Sequence, residues 1–287
     1  MRVADRDRWS DWLLHGRQRG IDERQLRALN RALVKMRNRV LASARLRSGM
    51  DVLDVGAGTG LLALEAARRV GAAGSVVALD VSAPALQECR ASIQSGTNVG
   101  LVLGDATLLP LADRSVDAVM TRSVLMYIVD KGRTAAEFFR VLRPGGRVSI
   151  FEPVNRYYRS FADVDLADLE PERGQVMDRW LSQSDPNGAM MGFDEHDLVG
   201  TFVDAGFESV ELSYEYSHRR AQPKRRDVML SLTMRPNPNM VSYEEAAREV
   251  LGEAADDHLA AVAAALTTRS STSVSALAYL RGQRARR

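Results

Sequence analysis

The chain has little cysteine, lysine or histidine. Of its 287 residues only Cys89 carries a thiol, so no internal disulfide can form. That usage fits a reducing compartment, and the expected location is cytoplasmic. Cys89 falls in the helix expected after a second strand, where the plain reading is a small packing residue. The four histidines, His15, His196, His218 and His258, are scattered. No His/Cys group has metal-ligand spacing, and no metal is expected. No long uncharged apolar run is present, which excludes a membrane-spanning helix. Met1–Arg8 lacks the apolar core of a signal peptide.

Hydrophobic residues at 45% and charged residues at 26% are ordinary for a globular protein. The length suffices for one large α/β domain with a cap, or for one domain and a small second one. Net charge is only +2, but it is uneven: residues 1–47 carry a net +8. The sharp reading of that segment is an RNA-contacting arm. The plainer one is a pair of solvated helices in a chain where arginine replaces lysine almost everywhere. No RNA-binding motif is present, so nucleic acid is not an expected partner. The arginine-rich end, Arg281–Arg287, is expected to fray.

The most informative stretch is Val52-Leu53-Asp54-Val55-Gly56-Ala57-Gly58-Thr59-Gly60. It reads as a short strand with an acid near its end and three alternating glycines. Leu61–Arg69 then favours helix. Strand, glycine turn and helix together build a nucleotide site in an α/β sheet. A dinucleotide fingerprint would place its third glycine at position 61, which is Leu. Asp54 would repel a pyrophosphate, yet suits a cationic ligand such as an ammonium or a sulfonium.

These residues resemble the first motif of class I S-adenosylmethionine (AdoMet)-dependent methyltransferases. The resemblance continues along the chain. Ser75–Asp80 is a second strand ending in an acid, twenty residues past Gly60, where a carboxylate accepts from ribose hydroxyls. Ser82 caps the next helix, with Pro84 in its first turn. Val99–Leu103 leads into Gly104-Asp105-Ala106, and in the family this Asp faces the adenine amino group. Val116–Ser123 is a fourth strand, and Leu142–Glu152 a helix end, a turn and a fifth strand. The closest likeness is to the small-molecule branch that includes quinone C-methyltransferases. It covers about 100 residues well and the flanks poorly. The single cysteine argues against an arsenite-methylating relative, which needs several thiols.

The resemblance implies a Rossmann-like seven-stranded sheet with helices on both faces. N-terminal helices and helical insertions would form a cap. Residues 1–47 read as a helical segment and a candidate lid, and 48–152 as the AdoMet-binding core of five strands and four helices. Residues 153–195 are a helical insertion and a candidate substrate lid; 196–217 hold the last core helix and the sixth strand. The seventh strand is either Asp227–Met234 or Ser273–Leu280. The second is preferred, because Arg235-Pro236-Asn237-Pro238-Asn239 breaks the chain after the first. That choice makes 218–272 a second insertion and 273–287 the last strand with a basic tail. Ser242-Tyr243-Glu244-Glu245 is a capping box.

The implied cofactor is AdoMet, leaving as S-adenosylhomocysteine. The resemblance places Asp54, Gly56, Ala57, Gly58, Thr59 and Gly60 around its methionine part, Asp80 and Val81 at the ribose, Asp105 and Ala106 at the adenine. Thr121 and Arg122 would line the methionine end. A small-molecule acceptor above strands four and five would meet Arg122, Asn155, Arg156, Tyr157 and Tyr158. Glu152 is the best-placed general base, with an ion pair to a nearby Arg as the plainer reading. Tyr127 and His196 are further catalytic candidates, against packing for the tyrosine and a helix-start position for the histidine. Expected activity is in-line methyl transfer to a secondary metabolite or a related small molecule. Alternatives are an RNA or protein methyltransferase using the basic N-terminus, or an AdoMet-binding protein without catalysis.

Overall fold

A computed structural model describes residues 11–16, 21–157, 169, 172–182, 188–268 and 271–286. The chain divides into two compact units. The sheet unit comprises Arg27–Arg156, Asn187–Glu215 and Ala276–Arg287; the helical unit comprises Met1–Leu26, Tyr157–Pro186 and Tyr216–Ser275.

Seven strands form one sheet: β1 (Asp51–Val55), β2 (Ser75–Asp80), β3 (Val99–Leu103), β4 (Val116–Arg122), β5 (Leu142–Pro153), β6 (Glu208–Ala221) and β7 (Ser271–Gln283), in the order β3-β2-β1-β4-β5-β7-β6. The first five run parallel, and β7 lies antiparallel against β5. Central strands such as Asp51-Val52-Leu53-Asp54-Val55 are buried on consecutive residues, because helices cover both faces of a parallel sheet. This is the α/β architecture expected.

The helices of the sheet unit explain themselves by spacing. In α2 (Ala63–Val70), following α1 (Glu23–Ser43), the buried residues Ala63, Ala66, Ala67 and Val70 make one stripe. The α1 helix buries Met36, Val40 and Leu41 in the same core as Val52, Ala118, Met120 and Phe151. Ser149 Oγ on β5 donates to the Val40 carbonyl at 2.8 Å. Residues 1–47 are therefore not one segment: from Arg27 onward the helix is part of the sheet unit. Ser82 caps α3 (Ala83–Ser92) as expected, and Asp130 caps α4 (Lys131–Val141).

Three further readings change. Residues 104–115 carry no helix, so the segment 48–152 has three α-helices rather than four. Asp105 instead folds this stretch into a turn, accepting from the Thr107 N–H and hydroxyl at 2.9 and 2.8 Å. The basic tail is not frayed through Arg286: one Arg284 nitrogen donates to the carbonyls of Phe139, Arg140 and Leu142, and its guanidinium covers the Phe139 ring. Asp227–Met234 falls largely in a helix, α7 (Arg225–Thr233), which follows α5 (Glu172–Leu181) and α6 (Glu195–Asp204). Ser271–Gln283 supplies the seventh strand.

The helical unit holds α5, α7, α8 (Tyr243–Leu251) and α9 (Ala255–Thr268) around Val176, Trp180, Leu232, Tyr243, Val262 and Leu266. Ser242 and Glu245 form the capping box of α8. Within the candidate lid, Asp163, Asp165, Asp168 and Glu170 lie outside the described residues. Among the described residues no helix is long and apolar enough to cross a membrane.

Candidate active site

The carboxyl ends of β1, β2, β4 and β5 bring most of the sequence candidates to one edge of the sheet unit. Gly56, Gly58 and Gly60 all have positive φ, at 67°, 55° and 92°. The turn is pinned to β2: Ala57 N–H donates to Leu79 O at 3.0 Å, and Gly58 N–H to Asp80 Oδ2 at 2.8 Å. Asp80 Oδ1 takes the Ser82 N–H at 2.9 Å. Burial pushes the Asp80 pKa up, and the N–H groups of Ser82, Gly58 and Val81 pull against it. Asp80 therefore shapes the turn as well as facing it, a role its spacing alone did not reveal.

Two of the glycines answer to neighbours that sequence reading missed. A Cβ on Gly56 would stand 2.2 Å from Val124 Cγ2, and one on Gly60 would stand 2.7 Å from Cys89 Sγ. Cys89 is thus a packing residue under the turn. Its thiol is held protonated by burial first, then by the charges of Asp54 and Asp80. Gly58 differs, because a Cβ there would meet nothing within 4 Å. The turn is open at that point.

Asp54 is the unusual residue of the edge. It is 1% exposed, and neither carboxylate oxygen has a hydrogen-bond partner. Burial raises its pKa to about 8; the Ala63 N–H at the head of α2 lowers it without closing a hydrogen bond, Asp80 adds repulsion and Arg122 offsets it. Thr121, fully buried on the neighbouring strand beside Val55, also has a hydroxyl without a partner. Buried carboxylates are normally paired. An unpartnered one beside an open glycine turn is the fit expected for a ligand cation.

Glu152 has a different occupation from the expected one. It is 0% exposed; Oε1 accepts the N–H groups of Val124 and Leu125 at 2.8 and 2.9 Å, and Oε2 that of Met126 at 3.3 Å. It caps the 3₁₀ turn Leu125–Tyr127. Burial raises its pKa to about 7, against those three N–H groups and Arg122. The plainer reading, an ion pair, is replaced by backbone capping. Arg122 acts by charge on both Asp54 and Glu152. Tyr127 lies half-buried in the capped turn.

The remaining candidates separate. Asp105 and the buried Ala106 follow β3, with the Asp105 side chain turned onto Thr107. Asn155 and Arg156 begin a short turn after β5, and Arg156 pairs with Asp194 at 3.6 Å. Tyr157 belongs to the helical unit, where its ring meets Tyr216 edge-on. Tyr158 lies outside the described residues. His196 is not drawn into the edge: its side chain is 89% exposed. Asp194 caps α6 with the backbone N–H of His196 and leaves the imidazole in solvent. Asp194, Glu195 and His196 do place ligand atoms within 4.8 Å of one another, a grouping not expected from the sequence. Asp194 is already committed there to the helix cap and to Arg156.

Comparison with known proteins now decides the family. A methyltransferase-domain family model matches residues 52–146. The Ubiquinone/menaquinone biosynthesis C-methyltransferase UbiE of Idiomarina loihiensis is 34% identical over 174 residues, covering 58% of this chain and 69% of the relative. The chain belongs to the class I AdoMet-dependent methyltransferases. Solved structures agree on the fold. The Bacillus halodurans C-125 protein BH2331 matches with a TM-score of 0.54 at 19% identity, over 87% of this chain and 98% of that one. A Haemonchus contortus phosphoethanolamine N-methyltransferase, solved with S-adenosylhomocysteine and phosphomonomethylethanolamine, matches with a TM-score of 0.50 at 16% identity, over 86% of this chain and 52% of that one. The methyltransferase fold thus carries, at the expected edge, a glycine turn and an orphaned buried carboxylate.

Proposed function

We propose that this methyltransferase acts on a small molecule, a secondary metabolite or a related metabolite, with AdoMet held at the glycine turn. The observation that carries the site is Asp54. A carboxylate buried without a partner gains most from a cation, and the AdoMet ammonium is one. Gly56–Gly60 would hold the methionine part, Asp80 and Val81 the ribose, Asp105 and Ala106 the adenine, and Thr121 and Arg122 the methionine end. When bound, AdoMet supplies a methyl group already activated as a sulfonium. The chain's own task is to hold the acceptor in line and to keep water out.

The quinone-biosynthesis C-methyltransferase likeness supports a small organic acceptor rather than RNA or protein. In this reading Glu152 is a positioning residue: both lone pairs of Oε1 are taken by N–H groups, so it holds the turn that packs against Gly56. Asn155 and Arg156 remain the acceptor-side candidates, and Arg156 would have to leave Asp194 to meet an anionic group.

Calorimetric titration with AdoMet and with S-adenosylhomocysteine tests the site. Asp80→Ala is expected to weaken both by about 1–3 kcal/mol, through lost charged hydrogen bonds. Affinity unchanged by that substitution overturns the cofactor assignment. Release of S-adenosylhomocysteine with small-molecule acceptors, and its absence with RNA and protein, tests the acceptor class.

A further inference from the structure

Many arginines of the sheet unit are paired. Arg39, Arg68, Arg69, Arg140, Arg143 and Arg156 each meet a carboxylate. Arg284 meets three carbonyls and a ring. Arg45, Arg47, Arg147 and Arg286 differ: among the described residues no acid pairs with any of them. We propose that these four, with Arg281 at their rim, form a binding site for the phosphate or diphosphate group of a soluble ligand, separate from the glycine turn.

Four pieces of chain bring them together. Arg45 and Arg47 lie in the turn after α1, where Arg45 adopts a left-handed φ of 51°. Arg147 on β5 faces Gln283, and Ser149 faces Arg281, so all four side chains share the face that α1 covers. Arg286 is carried by the C-terminal strap, which Gly145 N–H binds through the carbonyls of Arg284 and Ala285. Arg147 is half-buried; desolvation, and then the charges of Arg45, Arg281, Arg47 and Arg286, make its guanidinium easier to deprotonate than usual. Asp51 and Asp117 hold Arg143, and Glu211 holds Arg281, while Glu208 pairs with no arginine among the described residues. A cleft of about 420 Å³ opens beside the cluster, lined by Gln283, Ala285, Arg286, Ser209 and one acid, Glu208.

Like charges gathered at one end of the sheet repel, and a multivalent anion relieves that. Arginine forks match phosphate oxygens in pairs. Of the exposed large apolar residues, Leu103, Leu108 and Val129 lie on other segments and Val34 lies midway along α1; Tyr279, two residues from Arg281 on β7, is covered by the Arg39 guanidinium. The cluster therefore has neither the aromatic platforms that single-stranded RNA needs nor an apolar anchor for a bilayer. Arg147 and Glu152 are five residues apart on one strand, roughly 16 Å. The cluster is therefore a different place from the cofactor edge.

The test is titration of the whole chain with inorganic diphosphate at low ionic strength. Arg147→Gln serves as the variant and Arg68→Gln as the charge-matched control. Binding should weaken about tenfold or more in Arg147→Gln and stay unchanged in Arg68→Gln. Saturating S-adenosylhomocysteine should leave it intact. Since Arg147→Gln removes a repelling charge, thermal unfolding should show it folded. Absence of binding, equal binding by wild type and Arg147→Gln, or displacement by S-adenosylhomocysteine overturns the proposal. So does retention only on phosphatidylserine vesicles or only on single-stranded RNA.

Discussion

The two ends of the sheet solve opposite electrostatic problems. At the carboxyl ends of the parallel strands the chain buries acids; at the other end it gathers arginines. Acids can be satisfied by the main chain, and two of them are: Glu152 takes three backbone N–H groups and Asp80 two. Arginines need carboxylates or carbonyls, and many find them, as Arg143 finds Asp51 and Asp117. Against such compensated surroundings the uncompensated groups stand out. Asp54 at one end and Arg147 with its neighbours at the other are two such groups, and the two proposed sites rest on them.

The largest expected effect comes from separating the carboxyl end into its parts. Gly56→Ala would drive a Cβ to 2.2 Å from Val124 at a φ of 67°. Left-handed strain costs about 1–2 kcal/mol and overpacking about 1–3 kcal/mol. Urea denaturation should show a loss on the order of 3 kcal/mol, with AdoMet binding abolished. Gly58→Ala, at a φ of 55° in open space, should show the strain alone. If both variants lose the same stability, the Val124 contact does not brace the turn.

Asp54→Asn sharpens the contrast next. The Asp54 carboxyl has a pKa of about 8 in the fold, against 3.8 for the ordinary group. Between those values the folded state holds a proton that the unfolded state has lost. Stability of the ligand-free protein should therefore fall as pH rises from about 4 to about 8, at up to about 1.4 kcal/mol per unit from this group. Asp54→Asn should flatten that slope and weaken AdoMet by about 2 kcal/mol. In the wild type an ammonium near Asp54 favours its charged form, so AdoMet binding near neutral pH should release a proton. Calorimetry in two buffers of different ionisation heat would show it. No proton release in the wild type removes Asp54 as the cation site.

Much of this was legible in the sequence, for particular reasons. Alternating glycines after a strand and an acid ending the next strand are local signals, and Asp80 meets the glycine turn directly; the Gly-Asp after the third strand is local too, but Asp105 turns onto Thr107. Capping residues such as Ser82 and Ser242 are also local, and both cap. What was not legible depends on distant neighbours. Val124 over Gly56 and Cys89 under Gly60 meet only when strands from across the chain align. The arginine cluster draws on residues 45, 147 and 286, so a count of charge by segment saw two basic ends but not their meeting. The tail looked free because its anchor, the carbonyls of Phe139 to Leu142, lies over 140 residues away.

The smallest expected effect is the most discriminating for mechanism. A general base contributes roughly 10²–10⁴-fold to rate, so Glu152→Gln should collapse kcat if Glu152 takes a proton from the acceptor. A positioning residue predicts otherwise. The amide of the Glu152→Gln variant keeps an oxygen for the Val124 and Leu125 N–H groups and presents an NH₂ to Met126, a loss of roughly 1 kcal/mol. The AdoMet KM should rise several-fold while kcat changes little. The pH profile separates the cases further. Glu152 has a pKa of about 7 in the fold and 4.5 ordinarily, so it retains a proton in the native state across that window. Its burial makes stability fall as pH rises from about 4.5 to about 7. Glu152→Gln should remove this contribution and leave stability above pH 7 no lower than in the wild type. A variant that keeps the AdoMet KM but loses a hundredfold in kcat would return Glu152 to the chemistry.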